Sequence, residues 1–239
     1  MNKLFLNISR TLLRGIGCGV LATLTVLAAT RADAADAQVL PALSATARHV
    51  DFNGVPHSDE ARQLADWVVA SNNHRHLPFL IVDKKHATVF VFHPNGRLHG
   101  TTAVLIGTAV GDDSAPGVGA KKLSAILPHE RTTPAGRFAA TLDHNVHGVE
   151  ILWVDYDAAI SLHRVITTVK KDQRAQRLAS ATPLDNRISY GCINVPAAFF
   201  DGVIGPAFKG TNGIVYVLPE TRMARAVFGS YDVAAASVD

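Results

Sequence analysis

Phe79-Leu80-Ile81-Val82 and Thr88-Val89-Phe90-Val91-Phe92 are β-branched and aromatic runs that follow Pro78. Side chains of this type fit a pleated surface, so each run reads as a strand. His93-Pro94-Asn95-Gly96 turns the chain, and Leu98 to Ile106 supplies a third strand, which together predict an antiparallel meander. Further strands are expected over Arg137–Leu142, Ile151–Val154, Ala159–Leu162 and Ile214–Leu218. The fold class is therefore mainly β, with peripheral α-helices.

Helical signals lie around these strands. Ser58-Asp59-Glu60 reads as an N-cap followed by acids in the first turn. Leu64, Trp67 and Val68 then recur at helical spacing until Asn72-Asn73, predicting a helix over 59–71. Residues 168–181 have helical character with a basic face of Lys170, Lys171, Arg174 and Arg177, and residues 220–228 predict a closing helix. Residues 107–133 are rich in Gly, Asp, Ser and Pro and read as a long surface loop, a length that in compact domains often lines a site.

The first residues speak to compartment. Lys3, Arg10 and Arg14 precede an apolar stretch from Gly15 to Ala29, and Ala32-Asp33-Ala34 offers an A-x-A cleavage pattern. That order predicts a secretory signal peptide over 1–34, with membrane contact only through this transient segment. An uncleaved N-terminal anchor is the alternative. Cys18 sits near the start of the apolar run rather than at its end, which argues against a lipoprotein signal. Removing four basic residues and one acidic residue from totals of 23 and 20 leaves 19 of each. The basic balance thus belongs to the export segment and gives no ground for nucleic-acid binding. The expected organisation is a signal over 1–34, a lead-in with a helix over 35–77, a catalytic domain over 78–220, and a C-terminal helix and tail over 221–239.

Loss of the signal leaves Cys192 without a partner cysteine. An unpaired thiol in an oxidising compartment is either a buried apolar side chain or a group kept for its reactivity. The surrounding Ile188-Ser189-Tyr190-Gly191-Cys192-Ile193-Asn194-Val195 favours reactivity. Gly191 allows a tight turn that lifts the thiol from a strand end, and backbone N–H groups at such a turn can face an oxyanion. A thiol is mostly protonated near neutrality, so a base is needed. Of the eleven histidines, His49, His57, His74, His76, His86, His93 and His99 fall in polar or turn contexts and read as surface residues. His163 differs, because it ends the apolar run Ala159-Ile160-Ser161-Leu162; a hydrogen-bonded strand-end histidine is the competing explanation.

Ser189-Tyr190-Gly191-Cys192-Ile193-Asn194 resembles the S-x-G-C-[IV]-[RN] signature of the L,D-transpeptidases, the YkuD-type catalytic domain. Val104-Leu105-Ile106-Gly107, Thr133-Pro134-Ala135-Gly136-Arg137-Phe138 and Ala159–His163 resemble that domain's other boxes, in the same order. The resemblance spans roughly 78–220. It implies a β-sandwich-like fold with the cysteine at a pocket between sheets, no metal or organic cofactor, and peptidoglycan stem peptides as partners. It further implies a periplasmic enzyme in which Cys192 attacks the carbonyl of a stem's third residue and the terminal D-amino acid leaves. His163 would serve as base and then acid. The thioester then passes to an amine, either on another stem, giving a 3→3 cross-link, or on an acceptor lipoprotein. Ser189 and Asn194 are implied to shape the site or position substrate.

Three departures stand out. Arg164 follows the histidine where the family commonly has glycine, Tyr190 stands where many members carry histidine, and 28 residues separate His163 from Cys192. The long segment reads as a flap on which Lys or Arg could meet a stem-peptide carboxylate, or as a solvated surface. Competing functions are a hydrolase using the same thioester, a wall-binding domain without catalysis, and a zinc peptidase built on His144 and His147. The last lacks the H-E-x-x-H pattern.

Overall fold

The computed structural model describes residues 49–236. The expected signal peptide and the lead-in up to residue 48 lie outside the described residues. Among the described residues no helix is long and apolar enough to cross a membrane.

Helix α1 spans Asp59–Ala70, with Ser58 Oγ accepting from Ala61 N at 3.1 Å as its cap. The same hydroxyl donates to Asp83 Oδ2 at 2.5 Å, which ties the helix start to the end of the first strand. The predicted helical face is the buried one. Leu64, Trp67 and Val68 pack against Phe79, Ile81, Phe90, Phe92 and Tyr216. Full burial of each large apolar side chain contributes about 1.5–3 kcal/mol.

The strands are β1 Phe79–Asp83, β2 Thr88–Phe92, β3 Leu98–Ala103, β4 Ile106–Gly107, β5 Gly136–His144, β6 Glu150–Asp155, β7 Ile160–Arg164, β8 Arg187–Ser189, β9 Ile193–Val195 and β10 Gly213–Val217. β1, β2 and β3 form the expected antiparallel meander. The full ladder runs β3-β2-β1-β10-β5-β6-β7-β9, with β4-β8 as a second, two-stranded sheet. β1 and β10 are buried along their whole length, which explains why they read as unbroken apolar runs rather than as alternating ones. Their second face, Leu80, Val82, Val215 and Val217, shares one core with Leu152, Leu162, Ile193 and Val195 from the other end of the ladder. The sheet therefore folds over this core, giving a sandwich-like arrangement. Reciprocal hydrogen bonds between Leu105 and Asn194 bring the β3–β4 connection to the free edge of β9.

Some expectations change. The strand predicted over 98–106 breaks at Val104-Leu105, because its last residues leave the meander to pair with β8 and β9. A helical segment at 197–208 had no counterpart in the sequence reading. It comprises α3 (Ala197–Phe199), a π-helical turn over Phe200–Ile204 and α4 (Gly205–Phe208), and it buries Phe200, Ile204 and Phe208. The 168–181 stretch contributes only a short α2, Arg174–Leu178, and the closing helix 220–228 shrinks to Ala224–Phe228. His74 is buried rather than on the surface, bonded to Val68 O at 3.2 Å and Pro94 O at 2.9 Å.

A buried charge cluster pins the loop after β4. Lys84 Nζ donates to Gly111 O at 2.5 Å, Asp112 Oδ1 at 3.0 Å and Thr133 O at 3.0 Å. Glu220 completes it, paired with Lys84 at 3.5 Å and with Arg187. Burial pushes the Asp112 carboxyl up, but hydrogen bonds from Thr221, Glu220 N and Lys84 outweigh this and hold it well below the usual carboxylate range. Its stabilisation is complete above the ordinary carboxylate pKa and is lost only as pH falls far below it. Removing one member of a buried pair strands its partners. Lys84→Met is therefore expected to lower the unfolding free energy by about 3–5 kcal/mol in a urea titration. A loss under about 1 kcal/mol would show that the cluster does not hold the fold.

Candidate active site

The turn carrying the cysteine is built by sequence-distant contacts. Gly191 has φ +127°, and a Cβ there would lie 2.7 Å from both Thr132 O and Ile160 Cδ1. Both the backbone conformation and the space demand glycine. Thr133 Oγ1 accepts from Gly107 N at 2.8 Å and donates to the Gly191 carbonyl at 2.7 Å. Because Thr133 O is also held by Lys84, the buried cluster is linked to the residue next to the thiol. Ser189 Oγ donates to Cys192 O at 2.6 Å and accepts from Gly191 N at 3.1 Å. The Gly191 N–H is thus spent inside the turn, so Gly191 shapes the site without offering a donor. Cys192 N–H has no hydrogen-bond partner among the described residues.

β7 and β9 run parallel, with Leu162 opposite Ile193 and His163 opposite Asn194. This register brings together four of the residues singled out from sequence, His163, Cys192, Ser189 and Asn194. His163 Nδ1 lies 2.8 Å from Arg164 O; as the carbonyl can only accept, Nδ1 carries the proton. That leaves Nε2 toward the site, 3.2 Å from Asn194 Nδ2. Arg164 contributes its carbonyl here, while its guanidinium turns away to Asp201 Oδ1 at 2.8 Å and stacks over Phe200. The arginine after His163 thus leaves the site unobstructed.

Cys192 is half-buried. Burial pushes its thiol up, yet the neighbouring His163, with contributions from Ser161, outweighs this and lowers it below the ordinary value. Burial pushes the His163 imidazole down, and the neighbouring Cys192 with the Arg164 carbonyl more than restores it, for a net rise. The opposed shifts bias the pair toward a thiolate beside an imidazolium, while the Asn194 Nδ2 contact fits the neutral ring, whose Nε2 accepts. Arg174 works against this at His163 by like charge.

Three contributors escaped the sequence reading as site residues. Ser161 is buried and its hydroxyl lies 3.7 Å from Cys192 Sγ. Its position in β7, two residues before His163, is the signal that locates it, because period two puts both side chains on one face. Thr133 acts through Gly191, as above. Arg131 places its guanidinium 4.1 Å over the Tyr190 ring, which holds the tyrosine beside Gly191. Ser161→Ala removes a donor to the thiolate. Iodoacetamide alkylation near pH 7 should slow roughly 3- to 10-fold, with the midpoint of the pH–rate profile moving up. An unchanged profile would show that the hydroxyl does nothing for the sulfur.

His144 and His147 lie exposed around the β5–β6 turn, and among the described residues no three His, Cys, Asp or Glu side chains converge as metal ligands. A cavity of about 710 Å³ lies beside α1 and the C-terminal segment, lined among others by Glu60, Lys85, Arg222 and Tyr231. It contains none of the residues around Cys192.

No protein-family model matches the chain, and no curated protein matches its sequence. Solved structures do. The chain is similar in fold to solved L,D-transpeptidases. The catalytic domain of the Enterococcus faecium L,D-transpeptidase matches at 17% identity over 59% of this chain and 96% of that one, with a TM-score of 0.37. The Xylanimonas cellulosilytica L,D-transpeptidase matches at 12% identity over 59% of this chain and 60% of that one, with a TM-score of 0.38. Pgp2, the helical cell shape determining protein of Campylobacter jejuni, matches at 13% identity over 67% of this chain and 52% of its own, with a TM-score of 0.41. The match thus spans about half the length of Pgp2. These likenesses concern the course of the backbone and assign no chemistry.

Proposed function

We propose that the chain is an exported cysteine acyltransferase that takes an acyl group from a peptidoglycan stem peptide and passes it to an amine, an L,D-transpeptidase. The observation that carries this reading is the parallel register of β7 with β9, which sets His163 opposite Asn194, two residues after Cys192, with the thiol lowered and the imidazole raised. The S-x-G-C-I-N box and its three companion boxes supply the substrate class by resemblance. Export rests on the basic, apolar and A-x-A order of residues 1–34.

In this mechanism the Cys192 thiolate attacks the carbonyl carbon of the third stem residue. The Cys192 N–H, left without a partner in the turn, is available to the oxyanion that forms. Collapse breaks the peptide bond, and His163 Nε2 delivers its proton to the departing D-amino acid nitrogen. The remaining thioester is attacked by an amine, whose proton returns to His163 as the sulfur is released. Arg164 O holds Nδ1–H through both halves, which keeps Nε2 facing the reaction.

Incubation with tetrapeptide-containing muropeptides tests the reading. Intact mass spectrometry should show a Cys192 adduct lacking the terminal residue, and cross-linked dimers should accumulate. Shortened monomers without dimers or any amine adduct would sink the transferase assignment in favour of water as acceptor.

A further inference from the structure

The 28 residues between His163 and Cys192 bring one charged side chain into the site. Arg174, at the start of α2, is 14% exposed, and its Nη1 donates to Asn194 Oδ1 at 2.9 Å. Its Nε meets Asp172 Oδ2 at 3.2 Å. Nη2 makes no hydrogen bond among the described residues. The neighbouring cations behave differently: Arg177 is spent on the Asp172 and Asp185 carbonyls, while Lys170 and Lys171 are exposed.

Asn194 makes this contact consequential. A guanidinium only donates, so the amide must turn its oxygen to Arg174 and its nitrogen to His163 Nε2 at 3.2 Å and Cys192 O at 3.5 Å. Asn194 is 1% exposed and has little freedom to do otherwise. Arg174 therefore stands one amide away from both members of the Cys192–His163 pair, and its charge is felt at the imidazole. A half-buried guanidinium with an open nitrogen at this distance calls for an anion in the substrate.

The substrate class offers one in the right place. His163 must protonate the leaving nitrogen, and in a stem that ends one residue beyond the scissile bond, a free carboxylate lies two bonds from that nitrogen. We propose that Arg174 is a specificity-determining residue, the receptor for the free α-carboxylate of the residue that leaves when Cys192 takes the acyl group. This rests on the acyl-transfer reading above and names the subsite that selects the donor. Like charge at Arg174 weighs against the imidazolium in the empty site. A bound carboxylate offsets it just as the donor arrives.

The test compares two donors in the full chain, a tetrapeptide stem with a free terminal carboxylate and the same peptide as its C-terminal carboxamide. Wild-type protein should prefer the acid by about 10- to 100-fold in kcat/KM, the range of a charge-assisted hydrogen bond. Arg174→Gln should collapse that preference toward one, with the loss for the acid appearing mainly in KM, and Arg174→Lys should retain part of it. Because the preference is a ratio measured within one protein, partial misfolding cannot imitate its loss. Equal turnover of acid and amide by wild-type protein would overturn the subsite alone, as would a preference that survives in Arg174→Gln. A wild-type protein inert toward both donors would overturn the acyl-transfer reading, and the subsite with it.

Discussion

Cys192→Ser is expected to abolish acyl transfer, by roughly three orders of magnitude or more, without disturbing the fold. The contacts that shape the turn run through the backbone of Gly191 and Cys192 and the side chains of Ser189 and Thr133, none of which the substitution touches. What changes is the attacking atom. Burial opposes ionisation at this position, and the stabilisation from His163 and Ser161 that lowers a thiol cannot bring an alcohol, with its far higher pKa, to useful ionisation. The decisive readout is intact mass after exposure to a tetrapeptide stem. Wild-type protein gains the acyl mass and the variant does not. A variant that still links stems at the wild-type rate would show that another residue is the nucleophile.

His163→Asn has the second largest expected effect, roughly 10²- to 10⁴-fold in turnover. It removes the group that lowers the thiol most among the favourable contributions, so the thiolate is no longer favoured at neutral pH. In wild-type protein, activity rises with pH as the thiol ionises below its ordinary value and falls as the raised imidazole loses its proton, giving a bell. In the variant the rising limb moves to higher pH, since burial then acts on the thiol without its main counterweight, and the falling limb disappears. Alkylation of Cys192 across pH measures the first change without needing substrate. A variant whose alkylation profile overlays that of wild type would undo the assignment of His163 as the partner base.

The parts of this molecule that could be read from sequence are those whose physics is local. Phe79–Val82, Thr88–Phe92 and Ile214–Leu218 are legible because strands buried on both faces must be apolar without interruption. Ser58 is legible because a cap hydroxyl and first-turn acids act within four residues. β8 and β9 are three residues each and owe their existence to partners far along the chain, so no period betrays them. The 197–208 segment hides behind Gly202, Gly205 and Pro206, residues that discourage a helix that packing of Phe200, Ile204 and Phe208 nevertheless secures.

The site divides along the same line. Cys192, Gly191 and Ser189 form one local turn, and the demand for glycine and a small hydroxyl shows in the sequence itself. That His163 faces the thiol follows only from the parallel register of β7 with β9. The roles of Thr133 and Arg174 needed the fold. Thr133 reaches the site from a segment that reads as loop and acts through Gly191, whereas Arg174 comes from a stretch that reads either as a flap or as solvated surface and is tied to the site by Asn194. The setting of Tyr190 was likewise invisible in sequence, since the Arg131 stacked on it comes from the long loop before β5.

The long-distance stitching of the cysteine turn has a consequence for the life of the chain before it folds. The Gly191 carbonyl is held by a threonine 58 residues earlier, and the sulfur is met by a serine 31 residues earlier. Until those segments meet, Cys192 is an ordinary thiol, protonated at neutral pH and sluggish toward carbonyls. Folding thus acts as a safety catch, lowering the thiol only once the tertiary structure is in place. A thiolate-selective probe added during refolding would serve as a clock for that last step.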